Sequence, residues 1–114
     1  MPYISDTPKP PYYAVVFTSI NAVTDHTEHN ALSERMLELA QGYDGFLGIE
    51  PARNANGTGV AVSYWRDLET IQKWAMDPEH RIAKEKGRTL WYDQYRVRVA
   101  KVEREYGRLD NWRP

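Results

Sequence analysis

The chain has 114 residues, of which 41% are apolar and 27% are charged, and its formal net charge is −1. These values are ordinary for a single folded domain and exclude a disordered chain, while the length leaves little surplus for a large internal cavity. The sequence contains no cysteine, which excludes a disulfide framework and thiolate chemistry. It also has no apolar run that could span a membrane and no signal-peptide pattern, so we expect a cytoplasmic protein without a membrane partner.

Charge is unevenly distributed along the chain. Residues 1–57 hold three basic and seven acidic side chains, whereas residues 88–114 hold seven basic and four acidic ones. The C-terminal excess of positive charge is modest and lies in a segment that alternates like a β-strand. It does not form the concentrated basic patch that nucleic-acid binding requires, and we expect no nucleic-acid partner.

The first third of the chain predicts an arm, a strand and a helix. Residues 1–11 contain four prolines, which predicts an extended or partly disordered arm. Residues 12–20, YYAVVFTSI, are dense in β-branched and aromatic side chains and predict a first strand that is apolar on both faces. Apolar residues then recur at helical spacing from Asp25 to Tyr43, which predicts a helix capped by Thr24 or Asp25.

The remaining elements follow in a regular order. Residues 46–50 predict a second strand that Pro51 either ends or places at a sheet edge, and a hairpin turn leads to a third strand at residues 60–65. Asp67 caps a short helix, and the pair Asp77-Pro78 starts another one that Gly87 stops. Residues 91–105 predict the fourth strand.

This βαββαβ order is typical of the α+β, ferredoxin-like split unit, with a four-stranded antiparallel sheet and the helices on one of its faces. The first strand is apolar on both sides, so a sheet exposed on either side would leave an apolar patch in water. We therefore expect a homodimer in which two sheets pack against each other. The domain would span residues 12–106, between the arm at residues 1–11 and a tail at residues 107–114.

The segments GFLGIE and YWRDLETIQKWAMDPEHRIAKEKGRTLWYDQYRV resemble the antibiotic biosynthesis monooxygenase-type (ABM) domain family, whose members are dimeric α/β-barrel proteins. The resemblance covers residues 12–106. It implies a pocket between the helices and the sheet of each subunit. It also implies one of the family's activities, which include cofactor-independent oxygenation of polyketide-like aromatic molecules and haem degradation, although many members have no assigned reaction.

The haem-degrading branch of the family gives an alternative reading of the second half of the chain. In that branch a Trp on the second helix presses on the porphyrin, and a His about nine or ten residues later ligates the iron. Trp74 falls at the Trp position, but Ala83 and Lys84 stand where the ligand is expected, and His80 lies about one turn earlier. The branch also places an Asn in the first strand, which AVVFTS lacks. The resemblance therefore favours a reaction without a bound cofactor and keeps haem as the alternative.

His80 is the candidate catalytic residue. It lies in the first turn of a predicted helix, where the positive end of the macrodipole favours a neutral imidazole. A neutral imidazole is a suitable general base toward an acidic phenol or enol. The alternative is an exposed polar side chain, or one that is hydrogen-bonded to Glu79 or Lys84.

Aromatic side chains are the candidates for substrate binding. Trp65 and Trp74 are either walls of an aromatic pocket or core residues, since their rings offer a wide apolar surface with one N–H donor. Trp91 and Tyr92 are adjacent and would point to opposite faces of an extended segment, one into the core and the other to a pocket or dimer surface. Glu50 is either a buried carboxylate of the site or a solvated one paired with Arg53.

A metal site has little support in the sequence. His26 and His29 stand three residues apart on one helical turn, but two ligands are far short of a site. We expect a homodimeric barrel that binds a hydrophobic, aromatic small molecule and oxidises it without a bound cofactor, with His80 as the base. The alternatives are a haem-binding or haem-degrading enzyme and a non-catalytic binding or stress-related module.

Overall fold

The structure is a computed structural model that describes residues 4–21, 27–54 and 56–107. The strands form one antiparallel sheet in the order β2-β3-β1-β4, with bounds β1 Tyr12–Asn21, β2 Phe46–Arg53, β3 Thr58–Trp65 and β4 Tyr92–Val102. The helices are α1 Thr27–Gln41, α2 Leu68–Met76 and α3 Pro78–Lys86, and a π-helical turn at Gly87–Trp91 joins α3 to β4. This arrangement confirms the ferredoxin-like βαββαβ fold.

The two faces of the sheet have different surroundings. Tyr13 pairs with Trp65 in the sheet register, and the Trp65 ring contacts Trp74 of α2. The helices therefore lie on the face that carries Tyr13 and Trp65, which we name the helix side. Tyr12 and the other even-numbered residues of β1 point to the opposite face, because side chains alternate along a strand. The N-terminal arm contacts that second face, which we name the arm side.

The N-terminal arm packs on the sheet rather than extending into solvent. The Ser5 N–H donates to a Glu50 carboxylate oxygen at 2.8 Å, and Ser5 is only 9% exposed. Gly48 makes this approach possible, because a Cβ there would lie 2.6 Å from the Ser5 hydroxyl oxygen. Farther along the arm, the Thr7 hydroxyl lies 3.0 Å from that of Tyr12.

Two aspartates cap the N-termini of α2 and α3, as their positions in the sequence predict. Asp67 accepts a hydrogen bond from the backbone N–H of Thr70 at 2.8 Å and caps α2. Asp77 accepts from the backbone N–H groups of Glu79 and His80, at 2.9 and 3.1 Å, and caps α3. Its own backbone, at φ −59° and ψ 129°, is not helical, so α2 and α3 are separate helices that meet at this residue.

The edge position predicted for Pro51 and the end of α3 at Lys86 are confirmed, but Gly87 does not act as an ordinary helix stop. Gly87 has right-handed helical backbone angles, so helical structure does not stop there. The chain continues through the π-helical turn to Trp91. A glycine is needed there because a Cβ would lie 2.8 Å from the Tyr92 ring. β2 runs through Pro51 to Arg53, and since β2 is an edge strand the missing N–H is tolerated. The cap predicted for α1 lies outside the described residues.

Candidate functional site

The imidazole of His80 and the indole of Trp74 form a stacked pair where α2 and α3 meet. Their ring centroids are 4.1 Å apart and their planes are inclined by 15°. The Nδ1 atom of His80 lies 2.8 Å from the backbone carbonyl oxygen of Trp74. The break at Asp77 makes this contact possible, because the first turn of α3 folds back onto the last turn of α2.

The tautomer of neutral His80 follows from this hydrogen bond. A carbonyl oxygen is only an acceptor, so Nδ1 must carry the proton and the neutral ring leaves Nε2 with a free lone pair. Burial lowers the pKa of His80, and the positive charge of Lys84 lowers it further, against the opposing effects of the Trp74 carbonyl and Asp77. A neutral imidazole with its basic nitrogen at Nε2 is the form that a general base requires.

Aromatic rings continue from this pair toward the sheet. Trp74 lies 6.0 Å from Trp65 and meets the ring of Tyr43 edge to face at 5.4 Å. Trp65 in turn packs on Phe46 at 5.1 Å and is only 1% exposed, so it is a core residue. Trp74 is half-buried, which leaves part of its ring accessible. The structure thus brings together three of the predicted residues, Trp65, Trp74 and His80.

The helices do not cover the whole of the sheet face on which they lie. Tyr13, Val15 and Phe17 lie on the helix side of β1, a central strand, yet all three are only half-buried. In β4 the exposure of Val97 and Val99 is 50% and 51%. An apolar surface therefore remains accessible on the helix side of β1 and β4, and it is the kind of surface that a hydrophobic ligand covers.

Trp91 and Tyr92 lie at the start of β4. Trp91 is 7% exposed and belongs to the core. Tyr92 is half-buried, and its ring meets Phe17 at 5.3 Å, so it faces the helix side. Burial raises the pKa of the Tyr92 hydroxyl. Of these two residues, Tyr92 is the one that borders the accessible apolar surface.

Glu50 lies on the arm side, and the sheet separates it from His80. Its carboxylate accepts from the Tyr64 hydroxyl at 2.6 Å and from the Ser5 N–H at 2.8 Å. Burial raises the pKa of Tyr64, and the hydrogen bond to Glu50 raises it further. A cleft of about 350 Å³ lies between the arm, Glu50 and Glu105. Arg53, the partner considered for Glu50, instead donates to the Ser19 hydroxyl at 2.9 Å.

Sequence reasoning missed one member of the site, Tyr43. Its hydroxyl donates to an Asp77 carboxylate oxygen at 2.5 Å while its ring packs on Trp74. This bond is the main reason why the pKa of Asp77 is lowered. The sequence pattern marks Tyr43 only as an apolar helix position. No spacing rule connects it to a cap thirty-four residues away.

The residues around Trp74 do not fit a haem. The His80 ring covers one face of the Trp74 indole, so a porphyrin could not lie on that face without displacing it. Lys84, at the position expected for the iron ligand, instead donates to the Ala75 carbonyl at 3.1 Å. His26 and the side chain of His29 lie outside the described residues. Among those described, no group of three His, Cys, Asp or Glu residues could hold a metal.

Comparison with known proteins establishes the family. The family model Monooxygenase af470-like matches residues 15–111, and the chain therefore belongs to this ABM-type family. The chain is also 50% identical over 105 residues to the uncharacterised protein YqjZ of Bacillus subtilis, with 92% of this chain and 91% of YqjZ covered.

Two proteins named as oxygenases are also similar to this chain. It is 24% identical over 92 residues to the jasmonate monooxygenase ABM of Pyricularia oryzae, a match that covers 79% of this chain and 43% of that protein. The crystal structure of SnoaB, a cofactor-independent oxygenase from Streptomyces nogalater, superposes with a TM-score of 0.72 at 11% identity, covering 84% of this chain and 97% of SnoaB. At that identity the likeness establishes a common fold.

In the part of the chain that the structure describes, no helix is long and apolar enough to cross a membrane.

Proposed function

We propose that this chain is a monooxygenase that oxidises a hydrophobic, enolisable aromatic molecule with molecular oxygen and without a resident cofactor. The observation that carries the proposal is the His80 imidazole, which is held as the Nδ1–H tautomer against Trp74 and has a pKa lowered by burial. Membership of an ABM-type monooxygenase family and the fold shared with SnoaB support the same class of reaction.

The first step is proton transfer. His80 Nε2 removes a proton from an acidic C–H or from the enol or phenol of the substrate, and the resulting anion is delocalised over the aromatic system. The imidazolium formed in this step keeps its Nδ1–H bond to the Trp74 carbonyl, so the ring need not rotate. The apolar surface around Phe17 and Tyr92 would cover the substrate and exclude water from the anion.

The second step is transfer of electrons from the anion to molecular oxygen. A C–O bond forms at the carbon that carries the negative charge, and the peroxide takes the proton back from the His80 imidazolium. The hydroperoxide then loses water, so that a CH₂ group becomes C=O. One oxygen atom stays in the product, and the other leaves as water with the two hydrogens. The substrate itself supplies all the electrons, and no external reductant is needed.

A homodimer is part of this proposal. Ile20 and Val60 lie on the arm side of the sheet and are 39% and 40% exposed, which is a high value for apolar side chains in a sheet. A second copy of the chain packed on this face would remove them from water. The helix side of each subunit, with His80, would stay open to substrate.

The experiment is a turnover assay with 1,8-dihydroxyanthrone, an enolisable aromatic ketone, in chelator-treated buffer under ¹⁸O₂. We expect the protein to raise the rate of quinone formation above that of a protein-free sample and to place one ¹⁸O atom in the product. Rates equal to the protein-free ones across a panel of anthrones, naphthols and β-diketones would contradict the proposal and favour the non-catalytic binding module.

A further inference from the structure

Asp77 is bonded to both parts of the structure that hold His80. Its backbone N–H donates to the Trp74 carbonyl oxygen at 3.1 Å, and the same oxygen accepts the Nδ1–H of His80. Its carboxylate accepts from the backbone N–H of His80 at 3.1 Å. Asp77 therefore holds both the Trp74 carbonyl oxygen that orients the imidazole and the backbone of His80 itself.

Tyr43 reaches this arrangement from a different part of the fold. It lies just after α1, and its hydroxyl donates to the second carboxylate oxygen of Asp77 at 2.5 Å. Such a bond to a charged acceptor is stronger than one between neutral groups. The edge of the Tyr43 ring also meets the Trp74 indole at 5.4 Å, on which the His80 ring is stacked. Tyr43 thus contacts both Asp77, which caps the helix of His80, and Trp74, on which the His80 ring is stacked.

We propose that Tyr43 and Asp77 are positioning residues that hold His80 as the Nδ1–H tautomer, with Nε2 presented as the base. The catalytic use of Nε2 rests on the proposed function, but the tautomer and its control by Tyr43 do not. Neither residue is required to touch the substrate, since both act through the backbone and the ring contacts of His80.

The charged groups near His80 allow this role to be separated from general stabilisation. Within the described part of the chain, Lys84 and Asp77 are the charged side chains that act on the His80 imidazole, in opposite directions. A second link between α1 and α3 lies on the surface, where Arg35 donates two hydrogen bonds to Glu79, both at 2.9 Å. This link joins the same two helices without contacting the imidazole. Arg35→Gln is therefore the matched control for Tyr43→Phe.

The test is ¹⁵N NMR of the full-length protein, with the His80 signals assigned from their loss in His80→Gln. In the wild type we expect the shifts of a protonated Nδ1 and a bare Nε2. In Tyr43→Phe we expect them to move toward a mixture of tautomers, with the His80 pKa rising toward 6.5. Arg35→Gln should leave both properties unchanged. Asp77→Asn, which keeps an acceptor for the helix cap, should resemble the wild type more closely than Asp77→Ala does.

The outcomes are distinct from those of the turnover assay. If Tyr43→Phe lowers the melting temperature but leaves the tautomer and the pKa of His80 unchanged, Tyr43 is only structural and the proposal fails. If the wild type shows the expected tautomer but no turnover, the proposed function fails and the positioning role stands. With turnover, Tyr43→Phe should lower kcat about tenfold or more with little change in KM, whereas Arg35→Gln should not.

Discussion

His80 lies flat on Trp74 at a centroid distance of 4.1 Å, although the two side chains belong to different helices. Six positions along a continuous helix would point the two side chains about 120° apart, since each residue advances the direction of the side chain by about 100°. The extended backbone of Asp77 brings them together. The site is thus a consequence of the break between α2 and α3, and a change that restored a continuous helix would remove it.

Haem titration separates the two enzymatic readings of the sequence. Because the His80 ring occupies one face of Trp74, we expect added hemin to bind weakly and without the spectrum of a histidine-ligated iron. His80→Ala should change the titration little. Tight one-to-one binding that His80→Ala abolishes would make haem degradation the leading function.

The stability of the protein should depend on pH through His80. The folded-state pKa of His80 lies below its ordinary value of 6.5, so the unfolded chain binds the proton more readily. The contribution of His80 to the free energy of unfolding is therefore fully present above about pH 6.5 and is lost as pH falls through the folded-state value. In urea denaturation, the free energy of unfolding should decline from about pH 8 to about pH 5, and this decline should be smaller in His80→Gln. Identical curves for the two proteins would contradict the assigned pKa shift.

The N-terminal arm should contribute to stability through one backbone hydrogen bond. Ser5→Pro deletes the N–H that donates to Glu50, and it should cost about 1 kcal/mol or more and lower the melting temperature by about 4–8 °C. Ser5→Ala is the matched control, because the Ser5 hydroxyl is buried without a hydrogen-bond partner and the variant keeps the N–H. Equal melting temperatures for the two variants would show that the arm is not held in this way.

A dimer through the arm side of the sheet is expected in solution. Val60→Asp places a charge on that face and should shift the mass measured by light scattering at micromolar concentration from dimer to monomer. Ile82→Asp is the control, because Ile82 is 60% exposed on α3 and lies outside the proposed interface. A wild-type monomer, or a dimer that only Ile82→Asp disrupts, would contradict this interface.

Much of the fold could be predicted from local patterns. The β-branched and aromatic composition of β1, the two aspartate caps and Pro78 at the start of α3 are each local features of the chain, and the elements that they predict are confirmed. The end of α3 at Lys86 was also predicted, but the glycine that follows is needed to leave room for the Tyr92 ring, a contact that only the folded chain makes.

The site was less predictable because its residues belong to different helices and strands and contact each other only in the folded chain. Trp74 and His80 could be proposed from their residue types and positions near the helix break. Glu50 was grouped with them, but its face depends on the irregular register between Phe46 and Gly48, which no local pattern reveals. Tyr43 was missed since its partner Asp77 is brought close only by the packing of α1 against α3.

The most direct test of His80 as the base is the rate of 1,8-dihydroxyanthrone oxidation against pH for the wild type and His80→Gln. We predict that the wild-type kcat/KM falls at low pH with a midpoint below 6.5, because only the neutral imidazole accepts the proton. His80→Gln should lower the rate by about 10²–10⁴-fold and abolish that limb of the profile. A variant that keeps the wild-type rate and profile would contradict the account.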